Sequence, residues 1–105
     1  MENEHLYEVT VYTENQVGLL SSIAGIFTRR SLNIEKLLVY PSRIEGIHKF
    51  RITTRASEAR MREVQLQLEK KVDVVKAFYE IDNERSDNEL NAVKAFLKQR
   101  EEDNF

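Results

Sequence analysis

The chain has 105 residues, 41% of them hydrophobic and 32% charged, with a net charge of −2 and no cysteine. That length is one domain with room for a tail, and a chain this small buries only about 60–65% of its unfolded surface, so it gains from dimerising. Balanced charge argues against sequence-independent attraction to nucleic acid or anionic membranes, absent thiols exclude a disulfide framework and a thiolate metal site, and no apolar run approaches the ~18–20 residues that cross a bilayer.

The opening residues, Met1-Glu2-Asn3-Glu4-His5, are acidic and polar, unlike a signal peptide, so a cytoplasmic location is expected. Tyr7 to Tyr12 alternates with period two and is rich in β-formers, which predicts a strand. Leu20, Ile23, Ala24 and Phe27 then fall at i, i+3, i+4 and i+7, the buried face of a helix from Leu20 to Arg30. Gly25 within it costs about 1 kcal/mol against alanine. Ile34 to Tyr40 reads as a second strand stopped by Pro41, and Ser42 to Gly46 as a hairpin-length loop. Ile47 to Thr54 resumes a strand with Phe50 and Ile52 on one side. Ser57 can cap a second helix whose buried stripe is Met61, Val64 and Leu68. Val72 to Ile81 closes the series as a strand in which Val75, Ala77, Tyr79 and Ile81 alternate.

The order βαββαβ predicts an α+β, ferredoxin-like sandwich over residues 1–82, a four-stranded antiparallel sheet with two helices on one face. Residues 83–105 form a polar linker and a C-terminal helical tail, with Leu90, Val93, Phe96 and Leu97 at helical spacing. The alternation of Val93, Ala95 and Leu97 would also permit a strand. The other sheet face is bare unless a second copy covers it, by sheet packing or by joining edge strands. The fold hosts many functions and decides none.

Chemistry concentrates at the first strand-to-helix junction, Thr13-Glu14-Asn15-Gln16-Val17-Gly18-Leu19-Leu20, followed by Asn33-Ile34-Glu35. A polar loop ending in glycine exposes backbone N–H groups at a helix N-terminus, where the dipole favours a carboxylate. The amides of Asn15 and Asn33 both donate and accept, so the combination suits a zwitterion such as a free amino acid. Elsewhere the catalytic inventory is thin. His5 and His48 are far apart with no metal-ligand spacing, Ser21 and Ser22 have no evident base, and no phosphate-binding glycine loop occurs. Catalysis by this chain alone is not expected, and no cofactor or metal is.

Glu14-Asn15-Gln16-Val17-Gly18-Leu19-Leu20, the helix end Ile26-Phe27-Thr28-Arg29-Arg30, and Asn33-Ile34-Glu35 with Leu37 resemble an ACT domain. More narrowly, they resemble that of the small regulatory subunit of acetolactate synthase (acetohydroxyacid synthase). Val72-Asp73-Val74-Val75-Lys76 resembles the start of that family's fourth strand, so the likeness runs from about Leu6 to Asp82. The resemblance implies a non-catalytic regulatory subunit that holds no thiamine diphosphate. It implies a homodimer that binds the large catalytic subunit, activates it, and makes it sensitive to a branched-chain amino acid, usually valine. In such dimers the effector lies between the strand-to-helix loop of one copy and the strand after the helix of the other. Carried over, the loop side is Asn15, Gln16, Val17, Gly18, Leu19 and Leu20, and the facing side is Asn33 and Ile34.

This sequence departs from the family pattern in two places. Val17 is apolar where relatives often carry a small polar residue or proline, and Ser31-Leu32 replaces a glycine-containing turn. Longer members have a second domain; Glu89-Leu90-Asn91-Ala92-Val93-Lys94 resembles its opening, so the chain is either a naturally short form or a piece. Two rivals stand beside this reading. One is a stand-alone ACT amino-acid sensor controlling another enzyme or a transcription regulator. The other, RNA binding through exposed aromatics on the central strands, is disfavoured because Phe50 is the one aromatic of the third strand and the charge is wrong.

Overall fold

The two longest strands, of eleven residues each, are neighbours at the centre of the sheet. In the computed structural model, which describes residues 3–14, 18–82 and 88–103, β1 (Glu4–Glu14) pairs antiparallel with β3 (Ile47–Ser57) on one side and β4 (Val74–Ile81) on the other. β2 (Ile34–Pro41) pairs with the far edge of β3, giving the sheet order β2-β3-β1-β4. Helix α1 (Leu19–Thr28) joins β1 to β2 and α2 (Glu58–Glu69) joins β3 to β4. A further helix, α3 (Asn88–Asp103), follows, so the segment around Val93 is helical rather than extended. The architecture is the ferredoxin-like sandwich that the residue pattern predicts.

One face of the sheet makes the core. Tyr7, Val9 and Val11 of β1, Phe50, Ile52 and Ala56 of β3, and Val74 and Ala77 of β4 pack against Leu19, Ile23, Ile26 and Phe27 of α1 and Met61, Val64 and Leu68 of α2. Each large apolar side chain fully buried in this way contributes about 1.5–3 kcal/mol. Ser57 caps α2 as expected, its hydroxyl accepting the N–H of Arg60 at 3.3 Å.

Several local expectations need correction. The buried stripe of α1 starts at Leu19, not Leu20, which is 46% exposed. Helix phase is set by Gly18, which ends the preceding loop in a left-handed conformation (φ 85°, ψ −4°) and starts the helix one residue early. β2 ends at Pro41 as expected, with the proline itself its last residue, a place open to it because β2 is an edge strand. In β4, Val75 points outward and is 57% exposed, while Val74 is buried instead. The ladder steps from Tyr12↔Lys76 to Thr13↔Val74, so Val75 is the surplus residue of a bulge. Val72 lies before the strand and is exposed. The bend before β2 is made by Ser31 at φ 56°, without glycine.

The opposite sheet face is polar and aromatic. Arg51 donates from Nε and Nη2 to the two carboxylate oxygens of Glu8 at 2.8 and 3.0 Å. Tyr12 meets Phe78 edge to face with ring centroids 6.4 Å apart, and the Lys49 ammonium lies 5.5 Å from the Tyr12 ring centre. Phe50, by contrast, points into the core and offers no stacking surface. Among the described residues no helix is long and apolar enough to cross a membrane.

The hydrogen bonds from Arg51 hold the Glu8 carboxyl below its ordinary value. A carboxylate whose folded value is lowered stabilises the fold above its unfolded value near ~4.3, and that stability is lost as pH falls through the folded value. Urea unfolding between pH 6 and pH 3 should therefore show a steeper loss for the wild-type chain than for Glu8→Gln. Parallel curves would show that the pair adds nothing to stability.

Candidate functional site

Gly18 sits where the chain leaves the sheet for α1. Its left-handed φ is one that side chains rarely adopt, and a Cβ built there would meet nothing within 4 Å. The constraint is thus on the backbone, and the space above it is open. The first turn of α1 presents N–H groups that have no partner inside the helix, and its first internal bond, Ser22 N–H to the Gly18 carbonyl, is long at 3.4 Å. The end of β1 is held firmly, since the Glu14 N–H donates to the Asp73 carbonyl at 2.9 Å.

Beside this junction lies a cleft of about 150 Å³ lined by Thr13, Glu14, Gly18, Leu19, Leu20, Val39, His48 and Phe50. Of the residues the sequence points to, Gly18, Leu19 and Leu20 meet here. Leu19 anchors α1 in the core, whereas Leu20 faces the opening. Asn15, Gln16 and Val17 lie outside the described residues. Asn33 and Ile34 do not line the cleft. They stand beyond the other end of α1, and ten helical residues separate the two places by ~15 Å. There the Asn33 carbonyl accepts the Thr54 hydroxyl at 2.7 Å and its side-chain amide donates to Glu35 at 3.4 Å, while Ile34 packs half-buried against the core.

The floor of the cleft is made by residues that share no local motif. Thr13 and His48 are direct cross-strand partners at the ends of β1 and β3, so their side chains stand on the same face about 4.5–5.5 Å apart. Thr13 is fully buried, and both its Oγ1 and the His48 Nδ1 are buried without a hydrogen-bond partner among the described residues. Both atoms are closed off from the cleft as well as from solvent, and a buried polar atom left unpaired costs about 1–3 kcal/mol. Only the pairing register, joining residues 35 positions apart, could have revealed this pair.

With this geometry in place the comparisons with known proteins become informative. The sequence profile of the AHAS small subunit-like ACT domain matches residues 9–76. The chain belongs to that family. It is 35% identical over 68 residues to a probable acetolactate synthase small subunit of Methanothermobacter thermautotrophicus, covering 65% of this chain and 40% of that protein. It is 30% identical over 96 residues to the acetolactate synthase small subunit of Mycobacterium leprae, covering 91% of this chain and 54% of the relative. The crystal structure of the acetolactate synthase small subunit from Thermotoga maritima superposes with a TM-score of 0.64 at 28% identity, over 73% of this chain and 47% of that one. The ACT chain described here thus spans about half the length of the curated relatives it matches. Three cleft-lining residues, Val39, His48 and Phe50, lie inside the matched segment but outside the quoted loop motif.

Because Gly18 is constrained by conformation and not by crowding, Gly18→Ala should destabilise the fold by about 1–2 kcal/mol, the usual cost of a left-handed non-glycine residue. Gly18→Asn should cost clearly less, since asparagine tolerates that region. Chemical denaturation midpoints of the two variants check this ordering.

Proposed function

We propose that this chain is the non-catalytic, effector-binding unit of an acetolactate synthase small subunit, binding a branched-chain amino acid, valine in the first instance, between two copies of itself. It thereby activates and feedback-regulates a thiamine-diphosphate-dependent catalytic subunit in branched-chain amino acid biosynthesis. The observation that carries this reading is the family match across residues 9–76, which spans the Gly18 junction and the Asn33 segment together.

The geometry supports the two-copy form of the site. Asn33 and Gly18 belong to opposite ends of α1 in one protomer, so only a second copy can bring an Asn33 to a Gly18. β2 is an edge strand, and its Leu37 and Val39 remain 38% and 44% exposed on the same side as the helices. A second β2 laid antiparallel against this edge would cover both side chains and extend the sheet without a break. The loop residues Asn15, Gln16 and Val17 would then hold the amino-acid ligand with Gly18, Leu19 and Leu20, against Asn33 and Ile34 of the other copy. A buried aliphatic side chain contributes about 1.5–3 kcal/mol and each hydrogen bond to a charged end about as much. Set against the cost of association, that places the affinity between about micromolar and millimolar.

Two measurements follow. Light scattering at micromolar concentration should report a homodimer, with or without valine; a monomer throughout would sink the two-copy site. In the second, the chain alone should form no acetolactate from pyruvate, but mixed with its matching large subunit it should raise turnover, because a regulatory subunit favours the active state of its partner. Millimolar valine should lower that rate, and Asn33→Ala should lose the inhibition while keeping the activation. A mixture with neither association nor any change in rate would leave the stand-alone amino-acid sensor as the surviving reading.

A further inference from the structure

We propose that Val39 sets the length of side chain that the cleft at the β1–α1 junction accepts, so that trimming Val39 to alanine shifts its preference from valine toward leucine. The inference rests on the reading of this junction as the effector site and goes beyond it in naming the residue that separates one branched-chain amino acid from another.

The walls of the cleft differ in how freely they can change. Leu19 and Phe50 belong to the core and are almost wholly buried, so their shape is fixed by what packs behind them. Val39 also lines the cleft, but it is exposed and lies outside the core. It pairs with Phe50 across the ladder between β2 and β3, and its edge strand stands two places over from β1. At ~4.8 Å per strand, that puts this wall ~10 Å across the sheet from the end of β1.

The two ends of the cleft ask different things of a ligand. At the junction the N-terminus of α1 favours a carboxylate, and Gly18 leaves the space above it open. Glu14, on the same rim, suits an ammonium group. With its charged end held there, an α-amino acid extends its side chain across β3 toward Val39, and each added carbon brings the tip closer to that wall. The volume of about 150 Å³ is the size of cavity that holds a benzene-sized molecule. Volume therefore admits valine and leucine alike, and contact with the far wall decides between them. In an apolar pocket one methylene more or less is discriminated by about 10- to 200-fold.

Leu37 supplies an internal comparison. It lies on the same face of β2 two residues away and is exposed at the same edge, but it pairs with Ile52 and does not line the cleft. Trimming Leu37 disturbs the edge of the sheet and leaves the cleft as it is.

The test is calorimetric titration of the full chain with L-valine and L-leucine, repeated on Val39→Ala, Val39→Ile and Leu37→Ala, with folding of each variant checked by thermal melting. The readout is the ratio of the two affinities, which cancels any change in dimerisation because both ligands meet the same assembly. The wild-type chain should favour valine. Val39→Ala should move the ratio toward leucine by at least about tenfold, Val39→Ile should move it the other way, and Leu37→Ala should stay within about twofold of wild type. A ratio that ignores both Val39 variants, one that Leu37→Ala moves equally, or a wild-type preference for leucine overturns the inference. Gly18→Asp, which places a negative charge at the carboxylate position, separates that failure from a failure of the site. If it abolishes binding while the ratio ignores Val39, the effector site stands and the inference alone falls. If neither amino acid binds the wild-type chain, or a folded Gly18→Asp binds both as before, the two readings fall together.

Discussion

The fold depends on β1 being paired along both edges. Eleven residues between β3 and β4 place Tyr7, Val9, Val11 and Thr13 in a row under the helices, and the same strand delivers the chain to the Gly18 turn. Nothing at the end of a doubly paired strand can slip by one residue without turning its whole apolar row toward water. The cleft therefore has a rigid floor.

The two faces of the sheet are chemically unlike. Toward the helices the side chains are apolar and close-packed. Away from them lie the Glu8–Arg51 pair and the Tyr12–Phe78 contact, with Phe78 and Leu38 exposed beside them. Apolar side chains still exposed on the helical side of the sheet lie at its two edges, Leu37 and Val39 on β2 and Ile81 on β4. Among the described residues buried polarity is confined to Thr13, Thr53, Thr54 and Ser57.

Much of this was legible in the residues. Period-two runs and the Met61, Val64, Leu68 stripe locate the strands and α2, because packing against one face repeats the same choice at fixed spacing. The strand-to-helix junction was visible as a polar segment ending in glycine between two periodic runs, a composition that an ordinary turn also explains. What escaped was set by single residues acting on phase. Gly18 starts α1 at Leu19, so Leu20 leaves the core and joins the rim. The surplus Val75 hands its inward place to Val74. His48 looked like an ordinary strand histidine because nothing in its own neighbourhood mentions Thr13. Register is a long-range property, and a histidine's role depends on what faces it across the ladder.

The bulges have a consequence of another kind. Both edge strands carry one surplus residue, Glu35 between Ile34 and Lys36 in β2 and Val75 in β4, while the ladder between β1 and β3 runs unbroken. An insertion or deletion in either central strand would reverse every side chain beyond it. At Glu35 or Val75, loss of one residue would merely restore the regular two-residue period and leave the rest of the strand facing as before. The margins of the sheet can thus change length by one residue where its centre cannot.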